Sequence, residues 1–279
     1  DSLAKNRARL AVAAGILFLI LAAMAGIEPD QWFATVMKGL ATGALVFLVA
    51  SGFQLIFGLM DVLNLAHGEI FMLGAYAGWT VYTRFDTFLN VLVPVLLIAA
   101  PFALLPVWRQ LGSRVASIGK WARTAAWGLI VAGGALIVLS ITKFPLVIWN
   151  AEDFARTPAN YSVQIDLGTL VPLAPDSFSW PMWLATAILV IGASVLALGL
   201  TSLRSHSGPS APLGRWHITG AAGFAVLAIV LHLAQGSLIE WVFGMSTTWR
   251  FFIALAVAAL LGAGLGALIE VVLIRPLYS

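Results

Sequence analysis

Long uninterrupted apolar runs constrain this chain more than any other feature of its sequence. Eight of them are long enough to cross the hydrocarbon core of a bilayer as helices, which takes about 20 residues each. They cover residues 10–27, 39–59, 62–82, 88–108, 124–142, 181–203, 218–235 and 251–274. Because 61% of the residues are hydrophobic and only 10% are charged, the sequence predicts an all-α polytopic transmembrane helix bundle of about eight spans.

The distribution of lysine and arginine predicts how the bundle is oriented. If the N-terminus lies in the cytoplasm, the alternating loops place ten basic residues there and five on the other side. The cytoplasmic ten are Lys5, Arg7, Arg9, Arg109, Arg114, Lys120, Arg123, Arg204, Arg215 and Arg275. Short cytoplasmic loops carry the excess of basic residues in membrane proteins, so both termini are predicted to be cytoplasmic. In this context the basic residues do not indicate a nucleic-acid partner.

Two segments between the spans have their own character. Residues 143–180 contain four acids and several prolines, which fits either a small extracytoplasmic cap or a solvated connector, and the connector is the more ordinary interpretation. Residues 109–123 alternate apolar and basic positions at helical spacing. That pattern predicts a helix lying on the anionic inner leaflet.

Catalytic and cofactor motifs are missing from the sequence. The chain has no cysteine, so it forms no disulfide and no thiolate metal site. It contains no HExxH pair and no GxSxG elbow. The single Gly-Lys pair, Gly119–Lys120, precedes Trp121 and lacks the upstream glycine of a phosphate-binding loop. We therefore expect no cofactor, no metal and no enzymatic activity.

Polar residues concentrate in the short stretch DVLNLAHGE, residues 61–69. On a regular helix Asp61, Asn64 and His67 form one stripe, whereas Glu69 points about 160° away from His67. A regular helix therefore excludes a contacting acid–base pair, although Gly68 would permit a break of the kind seen in transporters. These groups either satisfy neighbouring helix ends and backbone carbonyls or line and gate a pathway, and the sequence favours neither reading.

The last predicted span raises the same question and adds a packing motif. Glu270 lies near its end, before Arg275, and carries the same two interpretations as Glu69. The span also holds one GxxxG motif, and the second span holds another. Small residues let helix backbones approach closely in lipid, so the sequence predicts helix packing at Gly39, Gly43, Gly68, Gly74, Gly262 and Gly266.

The stretch 39–78 resembles the permease subunits of branched-chain amino acid ABC importers. That family has a glycine-rich helix, then an asparagine followed by AHG, an acid and GAY. In this chain those positions are Asn64, Ala66, His67, Gly68, Glu69, Gly74, Ala75 and Tyr76. A second matching stretch, IEVVLIRPLY, occupies residues 269–278. Relative to the family pattern, residues 85–249 look like an insert, and the chain looks like the N-terminal portion of a longer permease.

The resemblance implies three regions and a set of partners. Residues 1–84 hold core helices with the AHGE motif, 85–249 form a four-span insert whose extracytoplasmic loop is 143–180, and 250–279 form a core helix ending in RPLY. The implied function is import of branched-chain amino acids, urea or short amides across the bacterial inner membrane by alternating access. The implied partners are a second permease subunit, two cytoplasmic ATP-binding subunits and an extracytoplasmic solute-binding protein.

Two other classes of function stay open from the residues alone. An ion- or proton-coupled secondary transporter would use His67, Glu69 and Glu270 and would need no ATPase. An intramembrane enzyme would use Asp61, His67 and Glu69, but the helical angles oppose it.

Overall fold

The computed structural model describes residues 28–60, 67–169, 171–203 and 213–270, together with 11–12, 14–16, 18–19 and 21–22. The described residues form α-helices and two short 3₁₀ turns, and no strand occurs among them. The helices are α1 (Pro29–Met60), α2 (His67–Thr83), α3 (Phe85–Ala103), α4 (Leu105–Ala116), α5 (Ala122–Lys143), α6 (Ala151–Asp166), α7 (Met182–Leu203), α8 (Arg215–Leu233), α9 (Gln235–Phe243) and α10 (Thr247–Ile269). The 3₁₀ turns are Gly119–Trp121 and Val147–Trp149.

The chain divides into two compact units, Asp1–Met72 and Leu73–Ser279. The first unit contains α1, whose 32 residues extend about 48 Å at 1.5 Å per residue. Pro29 stands at its first position, where a missing N–H costs the helix nothing. The hydroxyls of Thr35 and Thr42 donate to carbonyls four residues earlier in the same helix. The helix thereby satisfies its own polar groups along an exposed apolar length.

Four helices, α3, α5, α7 and α8, form the central bundle of the second unit. Its core joins Val93, Leu97, Phe144, Leu189 and Ala228. The pair α5–α7 is the closest, because glycines on both helices let the backbones touch. The hydroxyl of Ser140 donates 2.7 Å to the carbonyl of Ala185 across this interface.

The third helix ends earlier than the predicted span 88–108. The chain turns at Leu104, and α4 then begins with proline at its second position. Pro106 has no N–H to offer the carbonyl of Phe102, so a continuous helix would lose that bond. The indole of Trp108 donates 2.7 Å to the carbonyl of Pro101, and the ring of His217 lies 3.2 Å from the carbonyl of Ala103.

The predicted surface helix 109–123 is interrupted in the structure. The helix α4 covers its first part and ends at Ala116, and a 3₁₀ turn follows at Gly119–Trp121. Gly119 has a φ of +83°, a left-handed conformation that stops a helix and that glycine adopts without strain. Ile118 and Trp121, which lie after the end of α4, are both exposed.

Within the described residues, six helices are long and apolar enough to cross a bilayer. They are Gln31–Gly58, Phe85–Ala103, Gly119–Lys143, Met182–Leu203, Arg215–Leu233 and Thr247–Ile269. The all-helical membrane class is therefore confirmed, whereas the count of eight is not. The predicted span 62–82 corresponds to α2, which has 17 described residues, and half of the predicted span 10–27 lies outside the described residues.

Candidate functional site

The residues predicted as a pathway or gate occupy separate positions in the structure. Asn64, like Asp61, lies outside the described residues. His67 is the first residue of α2. Glu69 is exposed in the first turn of α2, where a negative charge complements the helix dipole. Glu270 is exposed directly after α10. Their predicted role in transport therefore stays a prediction.

The glycines predicted for helix packing fall into two groups. A Cβ added to Gly39, Gly43, Gly68, Gly262 or Gly266 would meet no atom of the described residues within 4 Å. A Cβ added to Gly74 would lie 3.5 Å from the carbonyl oxygen of Ala258, so this glycine does contact another helix.

Glycines also set the register of α2 against α10. A Cβ at Gly78 would lie 3.2 Å from the Cβ of Ala258 and 3.4 Å from the carbonyl oxygen of Ala254. Moving four residues forward along α2, from Gly74 to Gly78, therefore moves the contact four residues back along α10, from Ala258 to Ala254. Continuing the register places residue 82 level with Arg250. Two arginines, Arg84 and Arg250, consequently lie at the same end of the bundle.

Arg84 forms a buried ion pair with Asp86. Its Nε and Nη2 each donate 3.2 Å to one oxygen of the carboxylate, and the two side chains are only 6% and 7% exposed. Arg84 has a non-helical backbone and separates α2 from α3. Its guanidinium carbon lies 4.4 Å from the centre of the Phe154 ring and 4.5 Å from that of Tyr161. Both rings belong to α6, which therefore covers the α2–α3 junction. At the junction Arg84 makes a bidentate pair with Asp86 and a cation–π contact with each of the two rings.

The same helix covers the start of α10. The Nη2 of Arg250 lies 3.8 Å from Oδ1 of Asp166, the last residue of α6. Tyr161 packs edge-on against Phe243 at the end of α9, with the ring centres 5.8 Å apart. Burial, assisted by the negative charge of Asp86, raises the pKa of the Tyr161 phenol. The phenol therefore stays neutral. Through these contacts α6 joins two helix junctions. We call the residues involved the junction cluster: Arg84, Asp86, Phe154, Tyr161, Asp166 and Arg250.

Several buried polar atoms in and near the junction cluster have no hydrogen-bond partner among the described residues. Five of them are able to donate, namely Nη1 of Arg84, Oγ1 of Thr87, Nδ2 of Asn90, the hydroxyl of Tyr161 and Nε of Arg250. One, Oε1 of Gln164, only accepts. Buried polar groups in native proteins nearly always find a partner in protein or ordered water. This end of the bundle therefore has an excess of buried donors.

A cavity of about 210 Å³ opens beside the same end of the bundle. It lies between the second and third turns of α3, the first residue of α7, the end of α8, and the chain that follows α5. Asn90, His232 and Gln235 are its polar lining residues. A second, more open cavity of about 420 Å³ lies near Arg123 and Ser202, where α5 begins and α7 ends.

The chemistry of these groups suits binding and packing more than bond making. Among the described residues, no group of three or more histidine, aspartate or glutamate side chains is placed to hold a metal ion. The junction cluster pairs each of its acids with an arginine. The cluster holds the ends of neighbouring helices together. Its unpartnered donors are able to donate hydrogen bonds to a ligand or to water.

Sequence reasoning missed the junction cluster. It counted Arg84 and Arg250 only as basic loop residues and gave Asp86 no role. A signal was present, because an arginine and an acid two residues apart stand directly at the start of an apolar run in RFDTFLNVLVP. Charged residues at that depth are costly unless paired, so the pair itself predicts a buried contact.

Comparison with known proteins identifies the family. The family described as "Branched-chain amino acid transport system / permease component" matches residues 35–208, more than half of the 279 residues. The matched region extends across the predicted boundary between residues 84 and 85.

A curated relative is also similar over a shorter stretch. It is the high-affinity branched-chain amino acid transport system permease protein BraD of Pseudomonas aeruginosa, 29% identical over 73 residues. The alignment covers 26% of this chain and 24% of BraD, so the chain spans about a quarter of the length of that relative. No solved structure matches. With the family match and six membrane-crossing helices together, the chain belongs to the branched-chain amino acid transport system permease component family and is a multi-pass membrane protein.

Proposed function

We propose that this chain forms part of the membrane permease of an ATP-driven importer for branched-chain amino acids. The observation that carries the proposal is the family match over residues 35–208. The name of BraD supports the choice of solute. Urea and short amides are the other solutes that the RPLY ending of the sequence suggests.

The proposed mechanism is alternating access without bond chemistry on this chain. Hydrolysis of ATP takes place on two cytoplasmic ATP-binding subunits, and a second permease subunit completes the pathway. An extracytoplasmic solute-binding protein delivers the solute to the permease. The permease lies in the bacterial inner membrane. Both termini lie in the cytoplasm, as the bias of lysine and arginine indicates.

In this proposal the motif residues serve the pathway and the glycines serve assembly. Asn64, His67, Glu69 and Glu270 line or gate the route of the solute. Gly39, Gly43, Gly262 and Gly266 meet no neighbour within 4 Å among the residues that the structure describes, and in this proposal they pack against the remaining part of the permease. Close approach at such positions is how helices associate in lipid.

Reconstitution tests the proposal directly. The permease containing this chain is placed in proteoliposomes with its ATP-binding and solute-binding subunits, and uptake of radiolabelled leucine is compared with uptake of urea. We expect leucine uptake that requires ATP and stops when the ATP-binding subunit carries a substitution that abolishes hydrolysis. Uptake driven by a pH gradient alone would support a secondary transporter instead. Urea uptake without leucine uptake would correct the solute.

A further inference from the structure

The open cavity where α5 begins combines a positive charge with apolar side chains. Its volume is about 420 Å³, and its lining includes Arg123, Trp127, Ser202 and Leu203. Arg123 and Trp127 are exposed, so both side chains are accessible from outside the protein. The cavity lies between the start of α5 and the end of α7, two helices that are able to cross a bilayer. It is therefore located near one face of the membrane.

Arg123 has no acidic partner in the helices around the cavity. The sequences of α4, α5, α7 and α8 contain no aspartate and no glutamate. Among the described residues, Arg123 takes part in no ion pair. The helix α4 adds two further exposed cations, Arg109 and Arg114. Basic pockets between membrane helices bind the anionic headgroups of lipids, so the charge at this end of the bundle favours an anion from outside the chain.

Contacts with the end of α7 hold α4 beside the cavity. A Cβ added to Gly112 would lie 3.0 Å from the backbone nitrogen of Ser202, one of the lining residues. The hydroxyl of Thr201 lies 2.9 Å from the carbonyl oxygen of Trp108. The arginines of α4 therefore add to the positive potential around the cavity, while Arg123 is the arginine that lines it.

An exposed apolar stripe continues from Arg123 along α5. Trp127, Val131 and Val138 are 52%, 67% and 62% exposed. Together with Arg123 they fall within about 80° of one another around a helix that turns about 100° per residue. From Arg123 to Val138 the helix rises about 22 Å, which is more than half of the roughly 30 Å of a bilayer core. The stripe is therefore long enough for one acyl chain of a lipid whose headgroup lies at Arg123.

We propose that the cavity binds the phosphate of an anionic phospholipid through the guanidinium of Arg123, with one acyl chain along Trp127, Val131 and Val138. Residues 109–123 were expected to meet the anionic leaflet as a whole, whereas this site holds one headgroup. Free phosphate shares the chemistry of the headgroup but leaves the apolar stripe uncovered. An acidic surface of a water-soluble protein leaves it uncovered as well. The site does not depend on the transport function proposed above.

Competition between two phospholipids with the same acyl chains tests the site. The full chain is released from nanodiscs made of equal amounts of phosphatidylglycerol, which is anionic, and phosphatidylcholine, which is zwitterionic. Native mass spectrometry counts the lipids that stay bound. We expect phosphatidylglycerol to be retained about fivefold over phosphatidylcholine, the effect of one basic residue near an anionic surface. Inorganic phosphate added to a parallel sample should leave this ratio unchanged, because the acyl chain also contributes to binding. Its loss to inorganic phosphate would overturn the lipid as the ligand.

Two variants show whether Arg123 is responsible. Arg123→Gln removes the charge and should abolish the preference for phosphatidylglycerol. Arg215→Gln removes another exposed arginine at the same end of the bundle, one that is not among the described lining residues, and should keep the preference. Equal losses in the two variants would reduce the site to diffuse surface charge and overturn the proposal. An unchanged preference in Arg123→Gln, with weaker co-purification of the ATP-binding subunits, would assign the cavity to a protein partner instead.

A second measurement uses the wild-type chain and does not depend on the variants folding. Phosphatidylglycerol with a diazirine in the middle of one acyl chain is photolysed with the protein, and the adducts are mapped by mass spectrometry. We expect more label at Val131 or Val138 than at Val226, a valine of α8 that is 58% exposed. Excess unlabelled phosphatidylglycerol should remove the label at α5, and phosphatidylcholine should not. Equal labelling of the three valines would contradict the position of the acyl chain.

Discussion

The bundle of the second unit and the glycine-bearing faces of α1 and α10 use the same residue type in opposite ways. In the bundle, a Cβ added to Gly133 would lie 2.4 Å from the backbone nitrogen of Leu196, and one added to Gly199 would lie 2.8 Å from Ile130. On α1 and α10, a Cβ added to Gly39 or Gly262 would meet nothing within 4 Å in the described part of the chain. Yet the GxxxG motifs that drew attention in the sequence lie on α1 and α10.

Charged residues also divide into a buried set and an exposed set. Arg84 and Asp86 are buried against each other at the edge of the bundle, and Arg250 is also buried. Glu69 and Glu270, which the sequence singled out, are exposed. A motif shows that a residue is small or polar within an apolar helix, but it does not show whether the partner belongs to the same chain. The exposed set therefore marks where other parts of the permease are expected to pack.

The largest expected effect is on the buried ion pair. Replacing Asp86 by alanine leaves Arg84 charged and buried, and breaking such a pair costs about 3–5 kcal/mol. We expect a loss of that order in the free energy of unfolding, measured by steric trapping in bicelles. Glu152→Ala is the matched control, because its pair with Arg156 has both side chains more than 70% exposed, and exposed pairs contribute about 0–1 kcal/mol. Equal losses in the two variants would remove the distinction between the buried and the exposed charges.

The next effect concerns the contact between α5 and α7. Gly133→Ala places a methyl group against the backbone of Leu196, and overpacking of this kind costs about 1–3 kcal/mol. Gly134→Ala, one residue later, meets nothing within 4 Å and should be neutral or slightly stabilising, because alanine favours a helix over glycine by about 1 kcal/mol. The same unfolding measurement separates the two neighbours. A neutral Gly133→Ala would mean that the helices are free to move apart.

A smaller effect is expected from the hydrogen bond across the same interface. Ser140 is completely buried and donates to the carbonyl of Ala185 on α7. Interhelical bonds of this type contribute about 0.6 kcal/mol on average and at most about 1.7, so Ser140→Ala should lower the unfolding free energy by that amount. Thr142→Ala is the control, since its hydroxyl bonds only within α5, to Leu139. If Thr142→Ala lowered the unfolding free energy more than Ser140→Ala, the hydrogen bond across the interface would not be the one that stabilises the bundle.

A still smaller effect is expected from the glycine-bearing face of α10, where Gly262 is half-buried. Gly262→Ala meets no neighbour within 4 Å, so the isolated chain should keep its stability to within about 0.5 kcal/mol or gain slightly from helix propensity. Gly78→Ala is the control at a position that does touch α10, 3.2 Å from Ala258, and it should destabilise more. If the glycine face packs on another part of the permease, Gly262→Ala should reduce co-purification of the partner permease subunit. Unchanged assembly would contradict the packing role proposed for this motif.

Much of the fold was predictable because hydrophobicity alone decides which segments enter the membrane. The spans 124–142, 181–203 and 218–235 correspond closely to α5, α7 and α8. The early end of α3 was harder, since the break at Leu104 depends on local hydrogen bonds rather than on hydropathy. The segment 143–180 contains α6, which packs Tyr161 into a core, so it is more than a solvated connector.

The candidate site was less predictable, because its contacts join residues far apart in the chain. Arg84 meets α6 about seventy residues later, and nothing in a single sequence records that pairing. The same contacts bear on the predicted insert 85–249, since Arg84 and Arg250 on either side of it both contact residues within it. The division into core and insert stays a prediction. The role of Glu69 stays a prediction, because its exposed carboxylate has no partner among the described residues.

The smallest expected effect is therefore on Glu69 itself. Glu69→Gln should leave the stability of the isolated chain unchanged, because the side chain is exposed and the lost helix-dipole interaction amounts to about 0.3–1 kcal/mol at most. In the assembled importer this variant should also keep most of its leucine uptake, since an amide replaces most of the hydrogen bonds of a carboxylate. Glu69→Leu is the matched comparison, as it has a similar size but no polar atom, and it should impair assembly if the carboxylate meets a polar group of a partner. Both are measured by co-purification of the partner subunits and by ATP-dependent uptake in proteoliposomes. A Glu69→Gln protein that assembles normally but transports nothing would show that the charge itself takes part in transport, and the exposed set would then include a functional ion site in addition to packing surfaces.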